Sequence, residues 1–317
     1  LIVGAGGFLG SHLRETAVTR GLDAISAGRR ATAEGPACDL LDPASVAACI
    51  EATAPEFIIN LAGAPSAIAS WQRPADSFAI NATGVLNLLE AASAYAPGAH
   101  LTCLSSGAVY GQPPAAEMPL REEAPVAPVS PYGAAKAAME VLCGQYARSR
   151  GLEIAVIRAF NLLGPRQPSF QAASGLAREI AAAELDGAGS VELALGNPGA
   201  ERDFTDVRDA AAALAEVAAR RLTGTFNLCS GRALSIAALG AELGQETPLA
   251  VSSRIDPALT RPSDPPLLVG DAGRLQEAIG WAPQIPIGQS LADLLGWWRG
   301  ELAPRRTAAA QYPASDG

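Results

Sequence analysis

The sequence predicts an α/β fold built on a doubly wound parallel sheet, and three observations carry that expectation. First, the runs Leu1-Ile2-Val3, 57–61, 101–104 and 154–157 are near-continuously apolar. Strands that face water on one side alternate, whereas strands covered on both faces do not. Second, these runs are separated by stretches of helical length, the rhythm of βαβ units. Third, small or polar residues follow three of the runs: Gly4 to Gly10, Ala62-Gly63 and Ser105-Ser106. Sheets of this class bind ligands at the carboxyl ends of their strands, so one shared site is expected there.

Taken in order, the strand 1–3 enters Gly4-Ala5-Gly6-Gly7-Phe8-Leu9-Gly10, and a helix is expected over 7–20. Strands are expected at 22–27 and 37–40, then a helix at 43–53 and a strand at 57–63. A loop with Pro65, Ser66 and Trp71 leads to one long helix at 75–95 that contains Asn81. The strand 101–104 ends at Ser105-Ser106. A Pro-rich loop, 112–131, enters the helix of Tyr132 and Lys136, and 154–158 is a further buried strand. Beyond Phe160 the pattern changes to a turn (161–166), a helix (170–185), a strand (191–195), a polar loop (196–203) and a helix (206–220). A strand at 224–228 and helices at 235–243, 271–279 and 288–299 follow. This pattern divides the chain into a dinucleotide-binding part, 1–160 plus 203–229, and a smaller interleaved α/β substrate lobe, 161–202 plus 230–300. Residues 301–317 read as a flexible tail.

Composition narrows the class. With 49% hydrophobic and 17% charged residues the chain is globular. A net charge of −9 argues against a general nucleic-acid binder, which needs a basic face. No apolar run reaches ~18 residues, so no membrane span is expected. Cys38, Cys49, Cys103, Cys143 and Cys229 are odd in number and widely spaced, which suits reduced, mostly buried thiols in a cytoplasmic protein. His12 and His100 lie far apart and form no ligand pattern, so no metal is expected.

Three local patterns carry chemistry. Gly4, Gly7 and Gly10, between a strand and a helix, fit a tight turn that lets the backbone approach a pyrophosphate at a helix N-terminus. At the end of the second strand, where an NAD-selective site expects a carboxylate, stand Gly28-Arg29-Arg30. Two guanidiniums can pair with a 2′-phosphate, which favours NADP(H) with NAD(H) possible. Asp39 is free to bond an adenine amino group. Finally, Tyr132 and Lys136 are four apart on a helix and share a face. An ammonium one turn from a phenol favours the phenolate and would bring the pair into range for proton transfer to or from a carbonyl or alcohol oxygen.

These residues together resemble the extended short-chain dehydrogenase/reductase family of sugar-nucleotide epimerases, dehydratases and reductases, with its Rossmann-type sheet. The resemblance rests on Gly4/Gly7/Gly10, Asp39-Leu40, Asn60-Leu61-Ala62-Gly63, Ser106 before Val109-Tyr110-Gly111, and Tyr132-x-x-x-Lys136. It runs from Leu1 to about Arg299. Within the family the chain is most similar to the GDP-4-dehydro-6-deoxy-D-mannose reductases. That closer likeness is carried by Ser70-Trp71-Gln72-Arg73-Pro74, Arg158-Ala159-Phe160-Asn161, the stretch 202–209, and Arg261-Pro262-Ser263-Asp264.

The resemblance implies an NADP(H)-dependent enzyme in which Ser106 and Tyr132 contact the reacting oxygen of a GDP-hexose and Lys136 the nicotinamide ribose. Phe8, Leu9, Leu40, Leu61, Ala62, Gly63, Asn81 and Phe160 would line the cofactor with the glycines, Arg29, Arg30 and Asp39. Ser66 would approach the hexose, Asn161 and Arg202 the diphosphate, and Arg261 and Asp264 the diphosphate and nucleoside ribose. A homodimer through the helices near 75–95 and 131–149 is implied too. Relatives that dehydrate carry an acid one or two places after the serine, where this chain has Gly107 and Ala108. The expected activity is therefore reduction of a C4 ketone. A 4-epimerase on the same scaffold, or a non-catalytic NADP(H) sensor, is the alternative.

Overall fold

The computed structural model describes residues 1–64, 67–260 and 265–311. Along the chain run β1 (Ile2–Val3), α1 (Phe8–Thr19), β2 (Ser26–Ala27), α2 (Pro43–Thr53), β3 (Phe57–Asn60), α3 (Ala67–Gln72) and α4 (Pro74–Phe78). A π turn (Ala79–Thr83) leads into α5 (Gly84–Tyr95), followed by β4 (His100–Ser106), a 3₁₀ turn (Gly107–Tyr110), α6 (Pro131–Arg150), β5 (Glu153–Ala159) and β6 (Asn161–Leu163). Next come α7 (Ala172–Leu185), β7 (Ser190–Leu195), β8 (Glu201–Asp206), α8 (Val207–Ala219), β9 (Gly224–Leu228) and β10 (Ala233–Ser235). The last elements are α9 (Ile236–Gln245), β11 (Ala250–Ile255), β12 (Leu267–Leu268), α10 (Gly273–Ile279) and α11 (Ile287–Gln311).

The six strands β2-β1-β3-β4-β5-β9 form one sheet in that order, and every neighbouring pair is parallel. Their apolar side chains are buried on both faces. Val3, Ile58, Leu101 and Ile154 pack with Val46, Leu88, Met139 and Tyr146 of α2, α5 and α6 on one side. Ile2, Ile59, Ile157 and Phe226 pack with Leu13, Leu214 and Leu275 of α1, α8 and α10 on the other. This two-sided burial is why the strands lack alternation. The sheet order reverses at β1, so the carboxyl ends of β1 and β3 flank a crevice.

A second group of strands gathers around β8, which pairs antiparallel with β10 and parallel with β12 and β6. β7 and β11 form a parallel pair. Leu176, Leu193, Phe204, Leu239, Leu291 and Trp298 make a separate apolar cluster there.

Several elements differ from expectation for identifiable reasons. The strand expected at 37–40 is reduced to a single parallel bridge between Gly28 and Ala37, because Asp39 turns the chain: its Oδ1 accepts from Leu41 N at 3.0 Å and its carbonyl from Asp42 N at 2.9 Å. The strand expected at 22–27 keeps only Ser26 and Ala27. The loop around Trp71 contains α3. The long helix at 75–95 is interrupted by the π turn that holds Asn81. The polar stretch 196–203 includes the start of β8, whose polar residues sit in the middle of its sheet. α11 continues helical to Gln311, past the point where a tail is expected to begin.

Candidate active site

The Gly-rich turn is shaped by contacts that leave no room for side chains. Gly4 has φ +86°, and a Cβ on it would lie 2.7 Å from Ala62 N. A Cβ on Gly10 would lie 2.3 Å from Gly4 O and 2.8 Å from Ala5 Cα. The turn therefore presses against the end of β3 while α1 presses against the turn. Gly7 caps α1 with no side-chain hydrogen bond. The first-turn N–H groups of the helix thus keep their capacity to meet an anion.

Beside this turn, Asn60 Oδ1 accepts from Ala62 N at 3.2 Å and fixes the Leu61-Ala62-Gly63 corner. A Cβ on Gly63 would fall 2.5 Å from Asn81 Oδ1 and 3.5 Å from Lys136 Nζ. Asn81 is fully buried; its Nδ2 donates to Ser77 O at 2.9 Å, while its Oδ1 has no partner. An orphaned buried acceptor next to the turn is costly unless something bonds to it, and it marks this corner as a place for a polar ligand or water. The tight glycines, the uncapped helix and this acceptor together fit a dinucleotide.

Ser130 caps α6, its Oγ accepting from Gly133 N at 3.1 Å, and Pro131 occupies the first helical position. Ser70 Oγ accepts from Tyr132 N at 3.2 Å. With its N–H held, Tyr132 points at the end of β4, where its hydroxyl faces Ser106. Ser106 Oγ also accepts from Ala108 N at 3.2 Å, capping the 3₁₀ turn. One turn along α6, Lys136 Nζ donates to Leu104 O at 2.8 Å and lies 6.0 Å from the Tyr132 ring centroid. Lys136 is the sole lysine in the chain.

The electrostatics differ from the simple picture of an ammonium lowering a phenol. Burial pushes the Tyr132 phenol up, opposed by the Ser106 hydrogen bond. Lys136 is turned to the Leu104 carbonyl instead, and burial brings its own ammonium down to about 8. At neutral pH the pair is a protonated phenol beside a charged lysine.

The remaining expected residues are spread around this centre. Arg29 and Arg30 are exposed beyond β2. Asp39 spends Oδ1 on its local turn, and Leu40 is buried under Gly84. Phe160 is a core residue: its ring would stand 3.2 Å from a Cβ on Gly107 and 2.6 Å from one on Gly270. Asn161 Nδ2 donates to Asp203 O at 3.3 Å, tying β6 to β8, and Arg202 Nη1 donates to Glu201 O at 2.8 Å. Ser66, Arg261 and Asp264 lie outside the described residues. Glu122, a candidate acid in the long loop, has its carboxylate engaged by Asn227 N at 2.7 Å, and Glu117 is exposed. Among the described residues no group of His, Cys, Asp or Glu could hold a metal ion, and no helix is long and apolar enough to cross a membrane. All five cysteines are buried and free.

Three participants carry no sequence assignment: Ser70 under Tyr132, the Leu104 carbonyl under Lys136, and Glu140, whose carboxylate accepts from Ser105 Oγ and Arg158 Nη2. The last had a signal, since it continues the four-residue step from Tyr132 and Lys136.

A turn that admits a pyrophosphate, and a Ser–Tyr–Lys set at the neighbouring strand ends, define a dinucleotide-dependent oxidoreductase of the short-chain type. A family profile described as GDP-mannose 4,6 dehydratase matches residues 1–294, and the chain belongs to that family, within the extended short-chain dehydrogenase/reductases. It is similar to the GDP-6-deoxy-D-mannose reductase of Pseudomonas aeruginosa, with 32% identity over 95% of this chain and 97% of that one. Among solved structures it resembles RMD from Pseudomonas aeruginosa complexed with NADPH, with a TM-score of 0.84 and 31% identity over 95% of this chain and 98% of that one. It also resembles the UDP-glucose 4-epimerase of Thermus thermophilus in complex with NAD, with a TM-score of 0.83 and 29% identity over 94% of this chain and 98% of that one. The chain is thus an enzyme of the sugar-nucleotide oxidoreductase class.

Proposed function

We propose that this enzyme reduces the C4 ketone of a GDP-4-keto-6-deoxyhexose, GDP-4-dehydro-6-deoxy-D-mannose, to GDP-D-rhamnose, with NADPH preferred to NADH. The observation that carries the reading is the Tyr132 hydroxyl facing Ser106 at the end of β4, with no further acid on the 3₁₀ turn after it. NADPH, when bound, supplies the hydride.

Gly4, Gly7 and Gly10 would admit the pyrophosphate at the start of α1, with Phe8 and Leu9 offering backbone N–H groups. Arg29 and Arg30 would take the 2′-phosphate, and Asp39 and Leu40 would border the adenine. Leu61, Ala62, Gly63, Asn81 and Lys136 would border the nicotinamide half. Tyr132 gives its proton to O4, and Ser106 holds O4 by a hydrogen bond. As the phenol loses its proton, the Lys136 charge one turn away stabilises the phenolate, while the Ser106 hydroxyl stays on O4. Dehydration would need a second acid and a base at C5 and C6. Gly107 and Ala108 have no proton to give, and the Glu122 carboxylate is already bonded.

We read residues 1–160 plus 203–229 as the dinucleotide-binding part and 161–202 plus 230–300 as the sugar-nucleotide lobe. In the lobe, Asn161, Arg202, Arg261 and Asp264 would serve the substrate, and Ser66 would reach the hexose from the dinucleotide-binding part. Val141 on α6 and Tyr95 on α5, 70% and 47% exposed, fit a homodimer contact through these helices. The buried free thiols fit the cytoplasm.

The test is incubation with NADPH and a panel of nucleotide 4-keto sugars, the product read by NMR. Turnover of the GDP-linked ketone is expected. Formation of the 4-keto sugar from GDP-mannose and NADP⁺ at enzymatic rates would sink a reductase-only reading. The likeness to a UDP-glucose 4-epimerase favours one alternative, 4-epimerisation. Nicotinamide that stays bound through purification would support it.

A further inference from the structure

Tyr132, Lys136 and Glu140 stand at successive turns on one side of α6, and each reaches the end of β4. Tyr132 faces Ser106, Lys136 bonds the Leu104 carbonyl, and the Glu140 carboxylate accepts from Ser105 Oγ. Glu140 is also gripped from β5. Arg158 Nε donates to its two oxygens at 3.0 and 3.2 Å, and Nη2 donates at 2.7 Å. Arg158 is the register partner of Ser105, and the next pair along is Ala159 with Ser106.

The pair is buried, with 7% and 11% of the side chains exposed. The last donor, Arg158 Nη1, reaches Tyr110 Oη and Glu122 O, both at 2.9 Å. Tyr110 in turn donates to Asn227 Oδ1 at 2.7 Å. The Glu140 contacts lock α6 onto the ends of β4 and β5. As a stability device a buried ion pair is poor, because desolvation offsets most of its attraction. Its position suggests a different use.

We propose that Glu140, held by Arg158 and Ser105, is a positioning residue: it fixes α6 so that Tyr132 meets Ser106, and it keeps the neighbouring Lys136 ammonium charged inside the protein. The groups facing Lys136 are Glu140, Cys143 and Tyr132 on α6, and Cys103 on β4, with Asn81 Oδ1 at the Gly63 corner. Those facing Glu140 are Arg158, Lys136 and Cys143, with Tyr110 and Glu122 behind Arg158. Burial lowers Lys136, opposed by Cys103, Cys143 and then Glu140, the one carboxylate among them.

Because Lys136 is the only lysine, ε-¹³C-lysine labelling yields one side-chain resonance whose titration reports it alone. Glu140→Gln is expected to lower its midpoint by about half a pH unit or more. The double variant Glu140→Gln/Arg158→Met leaves neither member of the ion pair without the other, should fold if the single variant does not, and is expected to shift the midpoint the same way. A folded double variant with the wild-type midpoint would overturn the proposal. The kinetic arm rests on the reductase reading: with NADPH and the GDP-linked 4-keto sugar, kcat should fall at least about tenfold while KM and NADPH affinity hold. A raised KM with kcat unchanged would also overturn it. If the wild-type enzyme reduces no 4-keto sugar, the functional reading fails and the lysine titration alone decides the role of Glu140.

Discussion

The Gly-rich turn and the α6 cluster meet at one crevice but are specified in opposite ways. The turn is defined by atoms that are missing, since a Cβ at Gly4 or Gly10 would sit 2.7 or 2.3 Å from backbone. The cluster is defined by atoms that are bonded, with Lys136, Glu140 and Arg158 all taken from water and given partners. A site region made of backbone tolerates almost no addition and carries no charge. One made of buried side chains accepts changes of similar size, yet holds charge where charge is unfavourable.

The largest effect should come from adding to the turn. Gly10→Val forces a side chain into the Gly4 and Ala5 backbone, and is expected to abolish cooperative thermal unfolding of a soluble protein, or to lower Tm by more than 10 °C, roughly the scale of several kcal/mol. Subtracting from the cluster should instead spare the fold. Tyr132→Phe is expected to keep Tm and NADPH binding while turnover falls roughly 10²–10⁴-fold; near-normal turnover would mean that the proton comes from elsewhere.

Lys136→Met sharpens the contrast. With the folded ammonium brought down to about 8 from 10.5, the unfolded chain binds more protons between those values. Stability therefore rises with pH across that window, and the buried charge is destabilising below it. The variant is expected to lose activity yet unfold at higher denaturant at pH 7, by on the order of 1–2 kcal/mol. A lower midpoint would show that the Leu104 contact outweighs desolvation.

Smaller again is the acid limb. His12 and His100 are both lowered by burial, with Pro165 O and Leu222 O as their partners. The unfolded state takes up protons first, so stability should fall as pH drops below about 6.5. His100→Gln should flatten that slope in pH-dependent melts. The smallest effect closes the comparison. Gly6→Ala, in the same turn but with nothing within 4 Å of its added Cβ, should leave Tm and NADPH affinity unchanged.

The same division explains what could be read from the amino acids alone. Glycine spacing and the Tyr132/Lys136 step are local, so they survive without coordinates. Arg158 inside an otherwise apolar strand announces a buried charge that needs a partner. Which partner depends on how α6 docks on the sheet, a tertiary fact that places Glu140, 18 residues earlier, against it. The π turn at Asn81 has no compositional mark, and a single helix is the natural expectation there. The strand expected at 37–40 does not form because an aspartate bonding two residues ahead bends the chain whatever the apolar content around it.

One feature of the cluster reaches beyond catalysis. The 23 basic residues comprise one lysine and 22 arginines, and the lysine is 6% exposed. Acylating and reductively alkylating reagents seek amines and pass over guanidiniums, so the outer surface offers them no side chain to consume. Side-chain acylation of this enzyme is then a single-address event at the floor of the crevice. Its rate becomes an accessibility gauge, slow when the crevice is filled and faster when it opens.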